Sequence, residues 1–203
     1  MRALVLCNGE PPGETLLREH VAQADLIVCT DGAAHWAHEA GVTPHVVIGD
    51  MDSATTPVAA EVVDCGPHGV QENTDAEKAL LLALRRGARH IVILGATGRR
   101  LDHTLANVWL VARYHERAQI VLADEHGTLQ VISGPTRLPA PPGGLISLVS
   151  LTPDVTLDTL GLRWPLHGPL EIGSRGLSNE PTADEVFVDL HTGLIAVIIP
   201  TAR

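Results

Sequence analysis

Over its first 125 residues the chain alternates short apolar runs with helical stretches, and this alternation restricts the fold more than any other feature. Apolar runs bounded by turn residues recur at Ala3–Cys7, Leu26–Thr30, Val46–Gly49, His90–Gly95 and Gln119–Ala123. Between them lie Thr15–Gln23, Ala33–Ala40, Thr74–Arg86 and Thr104–Arg117. In Thr74–Arg86 the residues Ala76, Ala79, Leu80, Ala83 and Leu84 repeat at the spacing of one helix face. Strand and helix in alternation predict a parallel sheet covered by helices, because parallel strands need a crossover between them.

Beyond residue 125 the pattern changes. Thr128–Ser133, Leu145–Leu151, Val155–Leu160, Glu185–Leu190 and Leu194–Pro200 are short and β-rich, and breakers such as Pro139-Ala140-Pro141-Pro142-Gly143-Gly144 separate them. No long helical pattern remains. The reading is an α/β chain in two domains: residues 1–125 form a parallel-sheet, Rossmann-like domain, and residues 126–203 form a small all-β domain, a sandwich.

Composition removes several function classes. A net charge of -10 without a basic run argues against nucleic-acid binding, which draws its affinity from neutralising phosphates. It leaves a metal–nucleotide substrate open, since a divalent cation mediates between carboxylates and phosphates. Cys7, Cys29 and Cys65 are widely spaced and form no Cys-x-x-Cys pair, so they read as free thiols rather than zinc or redox ligands. The apolar part of Met1–Gly9 is too short for a signal peptide, and no apolar run reaches membrane-spanning length. The expectation is a cytoplasmic protein.

Carboxylates collect where the predicted strands end, which is where open parallel sheets bind ligands. Leu26–Thr30 runs into Asp31-Gly32, and Val46–Ile48 runs into Gly49-Asp50-Met51-Asp52-Ser53. Gln71-Glu72-Asn73-Thr74-Asp75 opens the helix that carries Lys78, and Ile91–Leu94 runs into Gly95-Ala96-Thr97-Gly98-Arg99-Arg100-Leu101-Asp102-His103. Alternate residues of extended chain point the same way, so Asp50 and Asp52 face one cation. With Asp31 and Asp75 they supply the oxygen ligands that Mg²⁺ takes beside substrate phosphates. Asp also serves as a helix cap or turn residue, the alternative for each alone. Lys78 is the chain's single lysine beside thirteen arginines, which suits a compact charge on a phosphate or an ordinary helix residue paired with Asp75. Arg100 suits a fork onto a phosphate, and Asp102 suits a helix cap. His35 and His38, one turn apart, read as a surface pair.

These segments resemble, in order, the motifs of the thiamine pyrophosphokinase family. The resemblance rests on Asp31-Gly32-Ala33-Ala34, Gly49–Ser53, Gln71–Leu80, Gly95–His103, and the later Gly161-Leu162-Arg163-Trp164-Pro165-Leu166 with Ser178-Asn179-Glu180. It implies an N-terminal α/β domain, a C-terminal β-sandwich, and a homodimer with sites between subunits. It implies transfer of diphosphate from ATP to thiamine, with AMP as the other product. Magnesium and ATP binding carry over to Asp31, Asp50, Asp52, Gln71, Thr74, Asp75, Lys78, Arg100 and Asp102. Thiamine binding carries over to Trp164, Ser178 and Asn179. The family's usual Gly-Gly-Arg reads Gly98-Arg99-Arg100 here, which leaves open which arginine meets phosphate. The aromatic usual after Thr-Asp is Ala76. Trp164 fits either stacking on a flat cationic ring or packing in the β core. Two rivals stand beside this reading, a diphosphokinase acting on a hydroxymethyl pterin and a non-catalytic nucleotide or thiamine sensor.

Overall fold

The structure is a computed structural model and describes residues 1–49, 60–64 and 73–201. The chain divides into two compact units, Met1–Glu125 and His126–Arg203. The fold is mixed α/β, with a large sheet and a separate four-stranded antiparallel sheet.

In the first unit the strands are β1 (Arg2–Leu6), β2 (Leu26–Thr30), β3 (Val46–Gly49), β4 (Glu61–Asp64), β5 (His90–Leu94) and β6 (Gln119–Asp124). They lie in the order β4-β3-β2-β1-β5-β6, and the pairs along that row are parallel. All residues of β2 and β3, and four of the five in β1, are buried. That explains their unbroken apolar sequence: a parallel strand covered on both faces has no solvent side on which to alternate.

The helices are α1 (Glu14–Gln23), α2 (Ala34–Glu39), α3 (Asp75–Arg85) and α4 (Leu101–Tyr114). α3 starts at Asp75 because Thr74 caps it, its Oγ1 accepting the Glu77 N–H at 3.3 Å. Loss of such a cap costs about 1 kcal/mol. α3 buries Ala79, Leu80 and Ala83 completely, on the face that the apolar spacing marked. Burying Leu80 alone contributes roughly 1.5–3 kcal/mol. α4 begins at Leu101, three residues before the start read from sequence, with Arg100 rather than Asp102 at the cap position. The apolar Leu101, 83% exposed, hides this first turn from a periodicity argument.

The second unit contains no helix among its described residues. Its strands are β7 (Gly127–Ile132), β8 (Thr136–Pro139), β9 (Ser147–Ser150), β10 (Thr156–Leu160), β11 (His167–Pro169), β12 (Glu185–Thr192) and β13 (Ile195–Pro200). β13 pairs antiparallel with both β7 and β9, and the separate sheet has the order β11-β10-β12-β8. β12 shows the alternation of a one-sided strand: Val186, Val188 and Leu190 are buried with Leu138, Ile146, Leu148 and Leu157. β4, β8 and β11 were not anticipated. They have three or four residues each, too few for a period to register. Among the described residues no helix is long and apolar enough to cross a membrane.

Candidate active site

The connection order creates the site. From β1 the chain steps outward through β2, β3 and β4, then returns to place β5 on the other side of β1. The strand order therefore reverses between β1 and β5, and loops leaving those carboxyl ends diverge and open a crevice. A cleft of about 410 Å³ lies there. Its lining includes Asn8 after β1, Thr30 and Asp31 at the end of β2, Thr74 and Asp75 at the start of α3, and the loop Gly95–Arg100 with His103 and Asn107 of α4.

The cleft floor depends on missing side chains. Gly95 has φ +66°, and a Cβ there would run into the Cys7 carbonyl. That closeness lets the chain beyond β1 continue along the loop after β5: the Gly9 N–H donates to the Gly95 carbonyl (2.6 Å) and the Glu10 N–H to that of Thr97 (2.7 Å). Gly49 has a different reason. A Cβ on it would overlap the Asp31 carboxyl group, ending only 2.7 Å from even the farther oxygen. The last residue of β3 is thus bare because the Asp31 carboxylate fills its place.

Asp31 is 4% exposed, and its Oδ1 accepts the Gly32 N–H at 2.6 Å. Asp75 receives the Lys78 ammonium at 2.7 Å, as the i,i+3 spacing allows. Arg100 forks onto Asp102, with Nε to Oδ1 at 3.1 Å and Nη2 to Oδ2 at 2.5 Å. The hydrogen bond from Arg100 holds the Asp102 carboxyl down at about 2, and the same bond raises the Arg100 guanidinium above its ordinary value. Asp102 does not cap α4; its Oδ1 accepts the adjacent His103 N–H at 3.0 Å. Burial, and then the nearby charge of Asp75, push the Cys7 thiol up to about 12. A thiol so hard to ionise is no nucleophile at neutral pH. Cys29 is likewise buried and free, and burial raises it too.

The structure brings Asp31, Thr74, Asp75 and Arg100 together around one cleft, and Lys78 joins through Asp75. Asp50, Asp52, Gln71 and Cys65 lie outside the described residues. Among the described residues no group of three or more His, Cys, Asp and Glu could hold a metal ion. Asp31 and Asp75, which both line the cleft, still offer the hard oxygen donors that Mg²⁺ takes.

Two contributors, Asn8 and Asn107, escaped the sequence reading, and a third, Arg99, was left open there. The Asn8 Oδ1 accepts Arg99 Nη1 at 3.0 Å. Asn107 is buried and donates Nδ2 to the Ala96 carbonyl at 2.7 Å, tying α4 to the loop after β5. Arg99 itself adopts φ +50°, a left-handed conformation that costs a non-glycine residue roughly 1–2 kcal/mol. This is the position at which Gly98-Arg99-Arg100 departs from Gly-Gly-Arg, and the conformation explains why glycine suits it. Asn8-Gly9 follows a predicted strand, so the strand-end rule that flagged the aspartates would have found Asn8. Nothing in the sequence distinguishes Asn107 from any polar residue within a helix. His35 and His38 are exposed, and His35 meets Glu39 at 3.5 Å.

In the second unit Trp164 is 51% exposed, which rules out the core-packing alternative. The Arg163 guanidinium lies 5.0 Å from the centroid of its ring. Ser178 is exposed with φ +51°, and its N–H donates to Ser147 Oγ at 3.0 Å. Asn179, by contrast, is 2% exposed.

Two family models match the chain: "Thiamin pyrophosphokinase, catalytic domain" over residues 17–122 and "Thiamin pyrophosphokinase, vitamin B1 binding domain" over residues 136–195. Thiamine pyrophosphokinase 1 of Arabidopsis thaliana is 29% identical over 234 residues, covering 97% of this chain and 85% of that protein. Thiamine pyrophosphokinase 2 of the same plant is 30% identical, covering 81% of this chain and 72% of that protein. The crystal structure of a thiamin pyrophosphokinase family protein from Enterococcus faecalis is 25% identical, with a TM-score of 0.85 and full coverage of both chains.

Proposed function

We infer the reaction from one premise: the chain belongs to the thiamine pyrophosphokinase family. It is an ATP-dependent diphosphotransferase that converts thiamine and ATP to thiamine diphosphate and AMP. The observation that carries this is the match of a catalytic-domain model and a vitamin B1-binding model to successive parts of one chain. The second match favours thiamine over a pterin alcohol, and the first favours catalysis over sensing.

The thiamine hydroxyl attacks the β-phosphorus of ATP in line, the bond from that phosphorus to the oxygen it shares with the α-phosphate breaks, and AMP leaves. Such transfers ask for positioning and charge stabilisation more than for covalent chemistry. The Rossmann-like first unit holds the nucleotide at the crevice between β1 and β5, with Thr74 lining it and Gln71 as a further nucleotide-binding residue. Asp31, Asp50, Asp52 and Asp75 would hold Mg²⁺, which would supply positive charge to the phosphate oxygens when bound. Lys78 offsets charge on the transferred group, and its contact with Asp75 keeps the ammonium at the cleft edge. Arg100 meets phosphate with its guanidinium aimed by Asp102. A carboxyl group held down at about 2 is a poor proton acceptor, so Asp102 serves here to orient Arg100 rather than as a base. Trp164 and Ser178, in the sandwich-like second unit, receive thiamine. The working form is a cytoplasmic homodimer with each site shared between subunits.

The test is incubation of pure protein with ATP, Mg²⁺ and thiamine, followed by product identification. Thiamine diphosphate and AMP are expected, with loss of turnover on chelation and recovery on adding Mg²⁺. ADP with thiamine monophosphate would refute diphosphate transfer, and equal activity on a hydroxymethyl pterin would refute the substrate.

A further inference from the structure

The segment bearing Trp164 and the segment bearing Ser178 are joined side by side. Leu162 bridges antiparallel to Pro181, the Arg163 N–H donates to the Glu180 carbonyl at 2.8 Å, and the Thr182 N–H donates to the Gly161 carbonyl at 2.8 Å. Asn179 sits at the end of this ladder, and its carboxamide makes three hydrogen bonds there. Oδ1 accepts the N–H groups of Trp164 (3.1 Å) and Glu180 (2.9 Å), and Nδ2 donates to the Trp164 carbonyl at 2.7 Å. Its own backbone exchanges both hydrogen bonds with Ile146, at 2.8 and 2.9 Å. An amide oxygen with two partners has used both lone pairs, and the 2% exposure leaves no face for a ligand.

The indole is restrained from a second side. Arg163 reaches Glu180 Oε2 at 2.6 Å while its guanidinium covers one ring face. A guanidinium on that face repels a second cation there, while Trp164 as a whole stays 51% exposed.

We infer that Asn179 is a positioning residue rather than a thiamine ligand: its carboxamide clamps the Trp164 backbone on both sides and holds in place the exposed indole on which thiamine stacks. The inference rests on reading Trp164 as part of the thiamine site, and the experiment separates the two. Thiamine and ATP are titrated by calorimetry into the full chain as wild type, Asn179→Asp, Asn179→Ala, Trp164→Ala and the Asn179→Asp/Trp164→Ala double variant. Asn179→Asp keeps the acceptor and loses the donor, and Asn179→Ala removes both.

Each Asn179 variant should weaken thiamine binding by about tenfold, the factor for one typical hydrogen bond, with ATP affinity held within about twofold as the check on folding. Trp164→Ala should weaken thiamine at least as much, and the double variant should be no worse than Trp164→Ala alone, since Asn179 acts through the indole. Effects that multiply would mean that Asn179 touches thiamine itself and would overturn the inference. Unchanged thiamine affinity in both Asn179 variants would overturn it too. If Trp164→Ala alone leaves thiamine affinity intact, the reading of Trp164 as a thiamine subsite is what fails. In that case acrylamide quenching of Trp164 in a Trp36→Phe/Trp109→Phe background still decides the positioning half. Increased quenching in Asn179→Asp supports the clamp, and unchanged quenching removes it.

Discussion

Gly49→Ala probes the buried contact between the end of β3 and Asp31. The new methyl group would overlap the Asp31 carboxyl group, whose farther oxygen is only 2.7 Å away, so strand or carboxylate has to move. β3 is buried throughout and paired on both sides, which leaves the side chain as the softer element. Overpacking of this kind costs about 1–3 kcal/mol. For a unit of this size a change of 1 kcal/mol moves the melting temperature by about 4 °C, so a fall of about 4–12 °C is expected. If Asp31 holds the metal as proposed, displacing its carboxylate by about 1 Å costs on the order of 100-fold in rate. Thermal unfolding by circular dichroism and AMP release at saturating substrates read the two effects separately. Gly134→Ala is the control: a Cβ there meets nothing within 4 Å, and the change should stay within about 0.5 kcal/mol of wild type. A Gly49→Ala protein that melts and turns over like wild type would refute the claim that Asp31 fills the space above Gly49.

Three further outcomes are expected. Lys78→Arg should lower kcat by about tenfold or more in a steady-state assay, because a planar guanidinium does not reproduce a compact ammonium 2.7 Å from Asp75. Tyr114→Phe should cost about 1.5–3 kcal/mol in denaturant unfolding, since the Tyr114 hydroxyl donates to buried Glu77 at 2.6 Å and ties α4 to α3; melting at the wild-type temperature would dismiss that strut. His191 donates to Asp158 Oδ2 at 2.9 Å, and His167 reaches the other oxygen at 2.8 Å. The bond to Asp158 raises His191 above its ordinary 6.5, so its stabilisation is full below 6.5 and fades as pH rises through the higher folded value. The bonds from His191 and then His167 lower Asp158 below 3.8, so its share is present above 3.8 and fades as pH falls through the lower folded value. The difference in melting temperature between wild type and His191→Gln should therefore be largest between those limits and shrink above neutrality; a constant difference from pH 4 to 9 would count against the linkage.

The sequence by itself determined the class of each long element and the kind of chemistry at the strand ends. Unbroken apolar runs such as Leu26–Thr30 marked strands buried on both faces, and the 3.6-residue spacing in α3 marked the face that it buries. Asp31 and Asp75 were legible because the residue following a parallel strand, or opening the next helix, must emerge at the ligand-binding edge. The order of motifs was enough to indicate the family. Tertiary structure alone decided what each side chain is free to do. Arg99 meets Asn8 across 91 positions of sequence, Tyr114 meets Glu77 across 37, and Asn179 meets Trp164 across 15. Periodicity reports which way a residue points, whereas hydrogen-bond partners depend on which strands become neighbours. The resemblance alone offers Asn179 as a ligand, whereas only the fold shows its carboxamide bonded to the Trp164 N–H and carbonyl and to the Glu180 N–H.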